Sequence, residues 1–192
     1  LVAIFPEIFL RRVHGIMRLW DRFAGVLGVS SILLGQLFRL SARGFKAENS
    51  KNGNALIESG PYSLVRNPMY LGIFLIGSGV VLMLFEWWVL ILFAVIFIIR
   101  YIPLAFSEEK KLIALFPESY SAYCKKVPQR IWPSLWAMLK QEMSVYLPVK
   151  MAWVKKEIGS ILAVLLSALL IKSWEVAQGR GIILYFGETA GI

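Results

Sequence analysis

Glu58-Ser-Gly-Pro-Tyr-Ser-Leu-Val-Arg-Asn-Pro-Met-Tyr-Leu-Gly-Ile-Phe-Leu-Ile-Gly-Ser-Gly-Val-Val-Leu-Met-Leu-Phe85 is a polar turn punctuated by proline that runs straight into an uncharged apolar segment. Pro61 and Pro68 lack a backbone donor and push the preceding residue out of helical geometry, so Gly60-Pro61 and Asn67-Pro68 read as turns. Pro68 falls in the first turn of the next helix, where its missing N–H costs nothing. Arg66 and Asn67 stand at that helix's entrance, where free N–H groups and the macrodipole favour an anion. Beyond Phe85 only Glu86 separates this run from a second one, Trp87–Phe106. Met69–Phe85 and Trp87–Phe106 each have about the length that crosses a hydrocarbon core, and together they predict a tight antiparallel helical hairpin. Trp87 and Trp88 would anchor its tip at an interface.

Composition extends this reading to the whole chain. Of 192 residues, 58% are hydrophobic and 17% charged, against about 25% charged in an ordinary soluble domain. A soluble globule of this size exposes too much surface to hide that much apolar area. The expectation is an all-α, polytopic integral membrane protein with about four to five membrane helices. Its formal charge of +9 fits cations facing lipid head groups rather than nucleic acid, because no basic tract is interleaved with exposed aromatics. Cys124 is the single cysteine and His14 the single histidine, so neither a disulfide nor a cysteine or histidine metal cluster is available.

Residues 1–22 turn basic at Arg11, Arg12, Arg18 and Arg22 and read either as the end of a span or as an interfacial helix. Leu1–Leu10, broken by Pro6-Glu7, does not read as a signal peptide. Phe23–Leu40 is long and apolar enough to span, and Gly25, Gly28 and Gly35 suggest close helix contact. Ser41–Val65 reads as a loop or short hairpin from its Gly and Asn content. Gly72, Gly77 and Gly79 are expected to let the two hairpin helices approach. After Glu108-Glu109-Lys110-Lys111 the spacing suggests amphipathic surface helices. Ile158–Ile171, extended by Lys172 and Glu175, is the expected last span. The positive-inside rule places Ser41–Val65 and Glu108–Lys156 in the cytoplasm, although the arginines before Phe23 oppose this. The compact chain is compatible with a prokaryotic inner membrane.

A hairpin returns Glu108 and Glu109 to the membrane face that carries Arg66–Tyr70. A donor-rich turn then meets two acids, a combination able to hold a zwitterion. Arg100, inside the hairpin, either faces a polar cavity or snorkels to the surface. Arg130 reads as an anchor for lipid phosphate.

Gly60-Pro-Tyr-Ser-Leu-Val-Arg-Asn-Pro-Met-Tyr-Leu-Gly72, the hairpin, Glu108-Glu109, Phe116-Pro-Glu-Ser-Tyr120-Ser-Ala-Tyr123 and a basic Val-Pro resemble, in that order, the isoprenylcysteine carboxyl methyltransferase and phospholipid methyltransferase superfamily. The resemblance implies S-adenosylmethionine as cofactor in a pocket facing the cytoplasm. Ala55, Leu56, Ile57, Tyr62, Asn67, Pro68, Met69, Tyr70 and Glu108 would bind it, and Arg66, Tyr70, Glu109 and Arg100 are the candidate catalytic groups. The acceptor would be a lipophilic or small membrane-associated carboxylate or amine. Asn67 stands where the family usually has histidine. Leu104 stands where the prenylcysteine enzymes have arginine, with Arg100 one turn earlier. The implied organisation is 1–53 as N-terminal helices and polar loop, 54–133 as methyltransferase core, and 134–192 as an amphipathic segment, extra membrane helix and tail. The alternatives are a sterol- or enone-type reductase using NADPH, which shares an Arg-x-Pro-x-Tyr turn, and a non-catalytic lipid-binding scaffold.

Overall fold

A computed structural model describes residues 4–50, 55–85, 87–134 and 143–189, with side chains described between residues 23 and 134 and from 145 to 173 apart from 172. All regular structure among them is helical: α1 (Ile4–Asn49), a 3₁₀ turn (Gly60–Ser63), α2 (Pro68–Leu84), α3 (Trp87–Leu115), α4 (Pro117–Lys126), the single turn α5 (Met143–Tyr146) and α6 (Met151–Thr189). Pro68 and Pro117 each occupy the first helical turn, as their missing donors require. α4 closes on Lys125 and Lys126, cations that complement the exposed carbonyls of a helix end.

α1 and α2 form the central pair, packed antiparallel with backbones in contact. A Cβ on Gly35 would lie 2.7 Å from the Gly72 carbonyl oxygen, and one on Gly79 would lie 2.5 Å from that of Gly28. The Ser31 hydroxyl bridges the same interface to the Leu75 carbonyl at 2.8 Å. Gly72 and Gly79 therefore serve the α1–α2 contact, not the hairpin contact expected from sequence. Gly77 alone of the three meets α3, beneath the ring of Phe93. The hairpin is held by aromatic pairs, Phe74 with Phe97 edge to face at 5.0 Å and Tyr70 with Tyr101 at 5.5 Å, while Phe97 and Tyr101 stack on each other along α3 at 4.5 Å.

The expected loop at Ser41–Val65 is shorter than its composition suggested, because α1 continues to Asn49. Tertiary packing overrides the poor helix propensity of Gly44. The Trp153 ring of α6 lies where any Gly44 side chain would go, and the Ser41 hydroxyl donates to the Pro148 carbonyl at 2.8 Å. Residues 4–22 belong to this same helix, and Ile158–Ile171 lies within the 39-residue α6.

Phe23–Asn49 and Trp87–Leu115 are long and apolar enough to cross a membrane; α2, at 17 residues, is shorter. Of the most apolar window of α3 only 11% is buried. Ile91, Leu92, Ile96, Ile98 and Ile99 all face outward. Water would oppose that surface; hydrocarbon would not.

Candidate functional site

The site is built around the carboxylate of Glu109, which comes from the last third of α3 and whose side chain is only 7% exposed. Arg130 donates through Nε to both of its oxygens, at 3.0 and 3.1 Å. Arg66 Nη1 approaches Oε2 and Asn67 Nδ2 approaches Oε1, each at 3.4 Å. A buried carboxylate needs this much compensation.

The turn is fixed from its other side by the chain after α4. The backbone N–H groups of Arg66 and Asn67 donate to the carbonyls of Gln129 and Arg130, both at 2.9 Å. Arg66 Nη2 reaches the Pro128 carbonyl at 3.2 Å, and Nη1 also donates to Cys124 Sγ at 3.1 Å. Asn67 occupies the N-cap position of α2 but makes no capping bond; its amide goes to Glu109 and to the Arg130 carbonyl instead. Burial opposes the charge on Arg66, but Glu109 and then Cys124 outweigh it and raise its pKa. Gly60, at φ +60, carries the chain into the turn with its α-carbon against Phe45 of α1, a conformation suited to glycine.

Glu108 has the opposite setting. It is exposed, the Tyr70 phenol lies near it, and its charge acts on the Tyr62 phenol. Burial, then Glu108, pushes Tyr62 well above the ordinary tyrosine value. Tyr123 donates to the Tyr62 carbonyl at 2.7 Å and packs with Tyr120, Val127 and Leu56, so α4 backs the turn.

The sequence-predicted residues thus fall into groups. Arg66, Asn67 and Glu109 form one bonded cluster, and beside it the exposed Glu108 lies near Tyr62 and the buried Tyr70. Pro68 is buried at the start of α2, and Met69 beside it is partly buried; Leu56 and Ile57 are partly buried and Ala55 is exposed. Arg100 stands apart, exposed on α3 without a partner among the described residues. It lies roughly 12 Å along the helix from Glu108 at 1.5 Å per residue. Arg130 is the group that sequence reasoning misplaced: it binds Glu109, and its guanidinium lies 4.0 Å over the Phe106 ring. The usable signal was the second of two successive acids, which a helix turns toward its neighbours and which then needs a cation.

A family model, phospholipid methyltransferase, matches residues 23–119. The chain belongs to the phospholipid methyltransferase family. It is also 31% identical over 108 residues to the protein-S-isoprenylcysteine O-methyltransferase of Schizosaccharomyces pombe, a match covering 52% of this chain and 46% of that one. The chain thus spans about half the length of the curated relative it matches. No solved structure matches it. Both similarities name methyltransferases, so the chain is a methyltransferase-family membrane protein, and neither favours the reductase or the scaffold. The family match takes in α2, α3 and the acidic pair but stops before Arg130.

Proposed function

We propose that this protein transfers a methyl group from S-adenosylmethionine to a lipophilic or small membrane-associated acceptor, a carboxylate or an amine. The observation that carries this reading is the contrast within the acidic pair. Glu109 is consumed in holding the turn, while Glu108 stays exposed near two phenols.

The donor set fits the cofactor. Glu108 would take its ammonium or ribose hydroxyls, with Tyr62 and Tyr70 nearby. Leu56 and Ile57 offer apolar surface to its base. Arg66 keeps one buried donor, Nε, without a partner among the described residues, and Asn67, Pro68 and Met69 complete the wall. When bound, S-adenosylmethionine supplies an electrophilic methyl on sulfonium sulfur, whose departure as a thioether needs no acid.

The protein's own task is then alignment and exclusion of water. The clamp from Glu109 to Arg66, Asn67 and Arg130 fixes the turn, so Glu109 acts by positioning. Among the described residues Arg130 bonds only through Nε, so its terminal amines remain for an anionic part of the acceptor beside Phe106 and Trp132. Arg100, in the lipid-facing surface, would meet an acceptor approaching sideways from the bilayer. A carboxylate acceptor needs no base. An amine must lose a proton before it attacks, and Tyr62, a phenol whose pKa burial raises further, is no base at neutral pH.

Calorimetry with S-adenosylmethionine on the detergent-solubilised protein tests the cofactor. Saturable micromolar binding, lost in Glu108→Gln, is expected. Absence of binding to folded protein, with and without lipid, would remove the reading. Transfer of labelled methyl to a lipid extract then identifies the acceptor class.

A further inference from the structure

We propose that Cys124 is an oxidation site for hydroperoxides, and that its sulfenic acid is held by Arg66 and Tyr120 and draws Arg66 away from Glu109. Cys124 stands on α4, beyond the long apolar helices, and is partly exposed, so a water-borne oxidant can reach it. Its Sγ accepts from Arg66 Nη1 at 3.1 Å. Tyr120 lies one helical turn earlier on the same face of α4 and packs in the same cluster. It is 2% exposed, and its hydroxyl completes no hydrogen bond among the described residues. Burial, then Glu109 and Cys124, push the Tyr120 pKa up, so this hydroxyl keeps its proton and remains a donor.

A buried donor without an acceptor costs free energy until an acceptor arrives. A thiol sulfur is a weak acceptor, whereas an oxygen added to it is a good one. The surroundings of Cys124 therefore hold donors that the oxidised side chain can use and the reduced one cannot. In the step itself a sulfur lone pair attacks one oxygen of the hydroperoxide and the O–O bond breaks. With hydrogen peroxide the departing hydroxide takes the thiol proton and leaves as water; sulfur loses two electrons and the peroxide gains them. Cys124 is the single cysteine of the chain, so no second thiol of the chain can close a disulfide, and reduction falls to an external thiol. The consequence reaches the turn through Arg66. Its Nη1 is shared, 3.4 Å from Glu109 Oε2 and 3.1 Å from the sulfur. A stronger acceptor on Cys124 takes that donor from the longer of the two contacts and weakens the clamp.

The test treats the full chain in detergent with hydrogen peroxide, removes the peroxide with catalase and, after a delay, adds a 1,3-dione that traps sulfenic acids. Intact-mass spectrometry then counts the adduct. The folded protein should retain roughly fivefold more trappable sulfenic acid than either urea-unfolded protein or Tyr120→Phe, about the worth of one hydrogen bond. Tyr120→Phe removes a hydroxyl that has no partner, so the reduced variant should keep the wild-type denaturation midpoint. Retention in the folded wild type no greater than in either comparison would overturn the proposal. The clamp is read separately, by the denaturation midpoint before and after oxidation. The midpoint should fall and return with dithiothreitol, and Cys124→Ser should show no such reversible change. A midpoint that oxidation leaves unmoved would overturn the link to Glu109. Neither readout involves a cofactor, so both stand apart from the proposed function.

Discussion

Glu108 and Glu109 are adjacent on α3, yet one is exposed and the other faces a cage of donors. Their mutants should therefore fail differently. Glu109→Gln leaves Arg66 and Arg130 without their counter-charge and should cost about 3 kcal/mol. That is the low end for a broken buried pair, chosen because Arg130 is 36% exposed. Glu108→Gln should leave the denaturation midpoint in detergent unchanged and remove cofactor binding. An equal loss of stability in both would refute the division of roles. The tyrosines behind the turn add a pH signature. Burial, first of all, raises Tyr62, Tyr120 and Tyr123 above their ordinary value, helped by Glu108, Glu109 and Tyr120 respectively. Above about pH 10 an unfolded tyrosine releases its proton while the folded one keeps it. The stability they contribute is thus complete below pH 10 and falls as pH rises toward their folded values, by up to about 1.4 kcal/mol per pH unit for each. Tyr123→Phe should lose about 1 kcal/mol at pH 8 with its bond to Tyr62, and then show a shallower alkaline decline in unfolding experiments. The composition of this site was legible: Arg66, Asn67, Tyr70 and the acids stand in a recognisable order. The partition between the two acids was not, because it depends on where the chain at Val127–Ile131 returns, and no local pattern fixes a non-helical strap. Arg130 belongs to that strap.

At the scale of elements, the contact that sets the geometry is α1 on α2. Gly28 and Gly35 meet Gly79 and Gly72 at matching heptad spacing, each backbone lying against the other's carbonyl. Lipid gives two apolar helices no reason to associate beyond close packing, so such small-residue seams carry much of the attraction. In Gly35→Ala the new methyl would sit 2.7 Å from a backbone oxygen and 2.8 Å from the Ile76 nitrogen. Neither atom can move without its helix, and a loss of about 1–3 kcal/mol follows. Gly25→Ala, with nothing within 4 Å, is the control and should be neutral or slightly stabilising. Thermal or denaturant unfolding of the two variants in one detergent measures the difference; similar losses would mean that the seam is loose. The glycines themselves were visible in the sequence, but their partners were not. A hairpin tempts one to pair neighbours along the chain, whereas Phe74, Phe93 and Phe97 hold α2 and α3 apart by ring thickness and leave the close approach to α1. The extension of α1 through Gly44 was hidden for a related reason. Its support, Trp153, lies more than a hundred residues further on.

For the whole molecule, the fold ties the site to one membrane face but leaves open which side that face meets. The end of the bundle with Arg66 and Glu108 also carries Lys110, Lys111, Lys125, Lys126, Lys150, Lys155 and Lys156, while the hairpin tip offers Trp87 and Trp88, both more than half exposed. The positive-inside rule therefore predicts that this face meets the cytoplasm, where the proposed cofactor would be supplied. Arg11, Arg12, Arg18 and Arg22 pull the other way. α1 runs antiparallel to α2 and its 46 residues are roughly 70 Å long, more than twice a hydrocarbon core. Its basic first half therefore extends beyond the tip side. The larger and more clustered charge near the site should decide the outcome. The single native cysteine makes this easy to check: Lys125→Cys in a Cys124→Ser background places an exposed thiol on α4. A membrane-impermeant maleimide should label it in inverted vesicles and not in intact cells, while Trp87→Cys in the same background should give the reverse. If Lys125→Cys labels from outside, the N-terminal arginines dominate the topology. A cytoplasmic cofactor could then not reach Glu108, so this outcome would also remove the methyl-transfer reading of the site.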